Sequence, residues 1–273
     1  MIDKELKNLE LVPEEFIAAV EASNKKIFQE IFKILTQLDL VDGNIAPTVA
    51  NLERIELIKK AIADALFEGE YIDGLKTYAK SFNEQGQAVL GTFDTSAKLA
   101  DNEMWKATIK QAQTNVVSLF DEAAVENVIS KPIADILTQS ISSSVKFSDA
   151  VQQIKDFIEG NNEIDGRLVK YAKTYARDAF ANFDRSFTQL VNQEYDIQYW
   201  EYAGGTVKDT RDFCKERVGR VFTTEEVKEW ASLDWQGKNP ATNASNIFTL
   251  LGGYNCMHTL LPVSKERAKK LSI

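Results

Sequence analysis

The chain has 273 residues, 44% hydrophobic and 27% charged, enough to bury a core without disulfides or metal and too apolar for disorder throughout. Thirty-two Lys+Arg against 41 Asp+Glu give a formal net charge of -9, a field that repels phosphates and disfavours a general nucleic-acid or anionic-membrane binder. Two cysteines make no secreted disulfide scaffold, Met1-Ile2-Asp3-Lys4-Glu5 lacks a signal peptide's apolar run, and no stretch approaches the about 18 apolar residues of a membrane span. The expectation is a soluble, intracellularly made protein of one or two domains. Phe16, Val20, Ile27, Ile31, Ile34/Leu35 and Leu38 recur at helical steps after Pro13, a residue suited to a first helical turn. Asp42-Gly43-Asn44 marks a turn. Ile55, Ile58, Ile62 and Leu66 follow Thr48, a candidate N-cap, and Met104 to Phe120 repeat the pattern. Gly69 and Gly91 to Asp101 read as connections. Pro132 begins a further helix, and Phe147 to Ile158 form another, with Ser148 as its cap.

The charge is divided unevenly. Residues 1–159 carry 16 Lys+Arg and 26 Asp+Glu, whereas 160–273 carry 16 and 15, so a boundary is placed at the polar cluster Glu159-Gly160-Asn161-Asn162. This gives a helical region over 1–160 and a second domain over 161–273. From Arg167 a long helix carries Leu168, Ala172, Ala176, Ala179, Phe183, Phe187 and Leu190/Val191 on one side and Lys170, Lys173 and Arg177 on another. The period then changes to two. Ile197 to Tyr202 reads as a strand ending at Gly204-Gly205, and Val221-Phe222 as a second. Thr223/Thr224 with Glu226 starts a short helix through Trp230 as a capping box. Asp234 to Gly253 reads as irregular and Tyr254 to Val263 as extended. The fold class is mainly α: a helical N-terminal region plus a small C-terminal α+β domain with a long helix and short antiparallel strands.

The sole histidine, His258, stands two residues after Cys256. In an extended segment both side chains face one way and can converge on a metal with Cys214, zinc by ligand type, with Asp209, Asp212 or a water as the fourth ligand. Weighed against the metal are two small buried thiols in a compact core with His258 bonding a backbone carbonyl, and a Cys214–Cys256 disulfide. A Cys/His hydrolase would need Cys214 beside His258, and Asp209, Asp212 and Glu216 can be drawn as a metal-dependent nuclease cluster. Against this, the run Lys208 to Arg217 is self-compensating in charge, as a solvated helix opening is. No Gly-x-Ser-x-Gly, Walker or dinucleotide-binding glycine pattern occurs. Lys170, Lys173 and Arg177 form a basic stripe for DNA phosphate or an acidic partner, weighed against a solvated face shared with Asp178 and Asp184.

The order long helix, Tyr199-Trp200-Glu201-Tyr202, Asp209-Thr210-Arg211-Asp212-Phe213-Cys214, Gly219-Arg220-Val221-Phe222 and Gly252-Gly253-Tyr254-Asn255-Cys256-Met257-His258 before Pro262 resembles the head morphogenesis domain of the Mu F-like (SPP1-type) bacteriophage minor head proteins. The resemblance covers roughly residues 165–265. Met257 stands where the family commonly has Arg, and Cys214 is single where some members have a pair. The resemblance implies a non-enzymatic minor capsid protein, made in the host cytoplasm and carried in the virion at the portal vertex. Its implied partners are the portal protein and capsid or scaffold proteins, with some members binding phage DNA, and none a membrane. The alternative class is a nucleic-acid-acting enzyme using the Cys214/Cys256/His258 region.

Overall fold

A computed structural model describes residues 2–93 and 102–271. The described chain is mainly helical, with a small antiparallel sheet near its C-terminal end. In chain order it runs α1 (Ile2–Leu35), β1 (Leu40–Val41), β2 (Asn44–Ile45), α2 (Val49–Phe67), α3 (Glu70–Thr92), α4 (Glu103–Leu119), α5 (Glu122–Val125), α6 (Lys131–Ser142), α7 (Phe147–Glu159), α8 (Arg167–Tyr195), β3 (Tyr199–Ala203), α9 (Asp212–Lys215), β4 (Val221–Thr223), α10 (Thr224–Glu229), α11 (Ile247–Leu250), β5 (Thr259–Val263) and α12 (Lys265–Leu271). Among the described residues, no helix is long and apolar enough to cross a membrane.

Two compact units form. One is Glu14–Ala79 with Val116–Tyr175; the other comprises the described residues of Met1–Pro13, Lys80–Asn115 and Ala176–Ile273. This grouping differs from a cut at 1–160 and 161–273, because α1, α3, α4 and α8 each contribute residues to both units.

Several local expectations are corrected. α1 starts well before Pro13, which is buried inside the helix on the face that carries Leu9, Phe16 and Val20; the apolar stripe extends N-terminally, and loss of one N–H does not stop it. Between Gly69 and Gly91 lies a full helix, α3. Its glycine Gly74 marks close packing, since a Cβ there would come 2.7 Å from Ala19 Cβ. Pro132 sits in the first turn of α6, which continues from a π-helical turn over Glu126–Ser130. Ser148 is not the cap of α7: Lys146 occupies that position and the Ser148 hydroxyl turns to Asp149. The expected connection at Gly91 to Asp101 is helical at Gly91 and Thr92, and residues 94–101 lie outside the described ones.

The Glu14–Ala79/Val116–Tyr175 unit is an aromatic and aliphatic helical core. Phe16 stacks on Tyr78 at 5.0 Å and meets Phe120 edge-on at 4.9 Å, while the buried Tyr71 hydroxyl donates to Phe120 O at 2.8 Å. Thr48 caps α2 as its sequence position indicates, accepting from Asn51 N. Asn51 is itself fully buried, with Nδ2 donating to Ala46 O and Asp39 O and Oδ1 accepting from Asp39 N. It therefore ties the β1–β2 hairpin connection to α2. Asn51→Ala leaves those backbone groups without partners and is expected to cost about 2–3 kcal/mol in urea unfolding; a loss within error of zero would show that water replaces the amide.

In the second unit α8 presents Phe180, Phe183 and Phe187 to a core with Phe82 and Trp105. The sheet has the order β4-β3-β5, antiparallel throughout. The aromatic run Tyr199 to Tyr202 is thus its central strand, and Trp200 and Tyr202 are buried. Thr223 and Glu226 form the expected capping box at α10. β5 begins at Thr259, not at Tyr254; residues 254–258 form the turn that leads into it.

Candidate metal centre

Three elements deliver the site. Cys214 lies on the single turn α9, where its N–H closes onto Arg211 O at 2.9 Å. Cys256 and His258 lie on the irregular approach to β5. Tyr202, on central strand β3, points its hydroxyl at Cys214 Sγ, 3.2 Å away. Cys214, Cys256 and His258 are all buried, and one ligand atom from each lies within 4.8 Å of the other two. Among the described residues no carboxylate joins this group. Asp209 and Asp212 are exposed, and Asp212 pairs with Lys215. The charge run opening α9 is thus solvated, and the nuclease-like cluster is not assembled.

The backbone before Cys256 is unusual. Leu251, Gly253 and Asn255 have φ of 42°, 90° and 55°, three left-handed residues in five, a conformation that side-chain-bearing residues hold only under constraint. The constraints are visible: Trp235 Nε1 donates to Gly252 O at 3.0 Å, Arg211 to Tyr254 O at 2.5 Å, and Asn255 N to Asp178 Oδ1 at 2.6 Å. Gly252 lies against both thiols, because a Cβ there would be 2.6 Å from Cys256 Sγ and 2.8 Å from Cys214 Sγ. The knuckle thus brings the sulfurs together against one backbone atom.

The two cysteines are free thiols, not a disulfide. Their proton affinities are driven apart: the hydrogen bond to Cys256, then burial, pushes the Cys214 thiol up, while that same bond, with His258 and Arg185 assisting, pulls Cys256 well below an ordinary thiol. His258 Nδ1 lies 3.6 Å from Cys256 Sγ, and its buried Nε2 has no hydrogen-bond partner. The expectation that His258 bonds a backbone carbonyl through its ring is overturned. Its own carbonyl instead accepts from Arg185 Nη1 at 3.4 Å, and Arg185 is held by Ala181 O and Asn182 Oδ1.

A neighbouring buried cluster had no sequence signal. Asp184, placed by its sequence on a solvated face of α8, is fully buried, as are Glu5 and Gln85. Asp184 accepts from Gln85 Nε2 and Thr259 Oγ1, each at 2.7 Å. Burial, then the Asp184 charge, raises the Glu5 carboxyl well above the ordinary range. Both Glu5 carboxyl oxygens are buried without a hydrogen-bond partner, and it is Gln85 Nε2, donating to Glu5 O at 3.4 Å as well as to Asp184, that ties the first turns of α1 to α8.

The basic stripe is only partly available. Lys173 pairs with Asp165 at 2.8 Å and Glu21 at 3.8 Å, Arg177 has its own interactions, and Lys170 is exposed. The chain matches no family model, no curated protein and no solved structure.

Proposed function

We propose that the protein is a bacteriophage minor head protein that acts in head morphogenesis at the portal vertex, in the host cytoplasm during assembly and then in the virion. One observation carries this reading. Residues of the motif set that resembles Mu F-like proteins, scattered from position 200 to position 256, share a single hydrophobic cluster: Trp200, Tyr202, Phe213, Cys214, Phe222 and Cys256. A set of weak motifs gains weight when its members build one core. The acidic excess of residues 1–159 supports the same reading, since it suits docking on a basic face of a portal or capsid protein. The enzyme alternative lacks an assembled acid/base or nucleophile constellation among the described residues, the only Cys/His group being closed to solvent.

Co-expression with the cognate portal protein is expected to give a complex that survives affinity purification at low salt and weakens as salt rises. Two separately purified proteins that do not associate at low salt would sink the assignment. DNA as a further partner predicts binding that falls steeply with salt and weakens in Lys170→Glu; a flat salt response would remove phosphate recognition by this stripe.

A further inference from the structure

We infer that Cys214 Sγ, Cys256 Sγ and His258 Nδ1 bind a zinc ion that fastens α9 to the entrance of β5. This stands apart from the assembly reading, since metal content and portal association are read separately. The first support is distance. Zinc at about 2.3 Å from sulfur and about 2.0–2.1 Å from nitrogen, with tetrahedral angles, separates the two ligand atoms by about 3.5 Å. The Cys256 Sγ to His258 Nδ1 distance is 3.6 Å, and Cys214 completes a set whose atoms lie within 4.8 Å of one another. A hydrogen bond from the imidazole is a poorer account, because a sulfur at that distance leaves the ring weakly held.

The second support is preorganisation. Both sulfurs lie against Gly252, in a backbone whose left-handed residues are held by Trp235, Arg211 and Asp178. Packing alone does not require the thiol of α9 to meet a second thiol and the histidine beside a strained turn, whereas a shared metal explains the meeting. Two sulfurs and a nitrogen are soft and borderline donors, which select zinc over magnesium or calcium.

The role is structural. The three ligand residues are 1%, 2% and 6% exposed, so substrate has no access, and the oxygen beside the sulfurs is the Tyr202 hydroxyl. What the metal joins are two segments 42 positions apart in sequence, each contacting the central strand: α9 through Tyr202 and β5 through its ladder.

The test is elemental analysis of the full chain expressed in zinc-replete cells and purified without chelator, with a zinc-to-chain ratio near unity expected. Apoprotein made with a chelator should melt at lower temperature and, titrated with cobalt(II), should show thiolate-to-cobalt charge-transfer absorption. His258→Gln should weaken cobalt binding by more than the about 10–100-fold that outer-shell changes cost. Gly252→Ala, which replaces no ligand but crowds both sulfurs, should weaken it as well, so the proposal does not hang on one variant that folds poorly. Metal-free wild type with no charge-transfer band on cobalt addition would overturn the site. An intact mass lighter by two hydrogens, from a Cys214–Cys256 disulfide, would overturn it too, and copper in place of zinc would overturn the metal's identity.

Discussion

Replacing Trp200 by alanine is expected to cost about 3–5 kcal/mol, the range for emptying a buried large aromatic site. Trp200 is fully buried on the central strand, with Phe222 and Pro262 as its partners in the flanking strands. Its ring meets Phe248 edge-on at 5.3 Å, and its Nε1 donates to Thr224 Oγ1 at 3.0 Å. Loss of the indole therefore opens a cavity between strand, sheet and α11 and also frees the hydroxyl that begins α10. Trp200→Phe keeps most of the volume and isolates the hydrogen bond, with an expected cost of about 1–2 kcal/mol beyond its smaller packing loss. Because the chain has two compact units, one global unfolding curve is a blunt readout. The local measurement is the rate at which Cys214 and Cys256 react with a thiol reagent in metal-free protein. Both are buried in the same cluster as Trp200, so opening of this module gates their exposure. A Trp200→Ala protein whose thiols react no faster than wild type would show that the sheet is held mainly from elsewhere.

The aromatic strand, the capping box and the long helix were legible because each rests on local chemistry: β-forming aromatics in alternation, a Thr with Glu three residues on, and a 3.6-residue stripe. What was lost depends on distant partners. Over Tyr71, Leu75, Tyr78, Phe82, Gln85 and Val89 the spacing is helical, but Gly74 and Gly86 obscure it, and only the approach of Ala19 explains Gly74. Pro13 suggested a helix start because no local feature tells that the stripe continues behind it. Cys256 and His258 could be paired from their spacing. The reason was only partly right, since they lie on the irregular stretch between a left-handed turn and the strand and not within the strand. Asp184 and Glu5 had no signal at all: a carboxylate on a helix is normally solvated, and burial here becomes visible only when α1, α3, α8 and β5 are assembled.

That assembly makes stability depend on pH. Glu5 has a folded-state pKa raised first by burial and next by the Asp184 charge, and Asp184 is itself raised by burial against the opposing bonds from Thr259 and Gln85 and the Arg185 charge. In the unfolded chain Glu5 titrates near about 4.3. A raised folded value means that the native state holds a proton the unfolded state has released. The contribution is therefore fully present below the unfolded pKa and is lost as pH rises through the folded one. Each unit of separation amounts to about 1.4 kcal/mol. Glu5→Gln keeps the shape but cannot ionise. It should match wild type in acid and become progressively more stable than wild type as pH rises into the alkaline range, measured as the difference in melting temperature between the two proteins. Asp184→Asn is expected to destabilise at every pH, because an amide cannot accept from both Gln85 Nε2 and Thr259 Oγ1. Parallel pH curves for wild type and Glu5→Gln would mean that water or a cation reaches Glu5 and that its burial does not hold the proton.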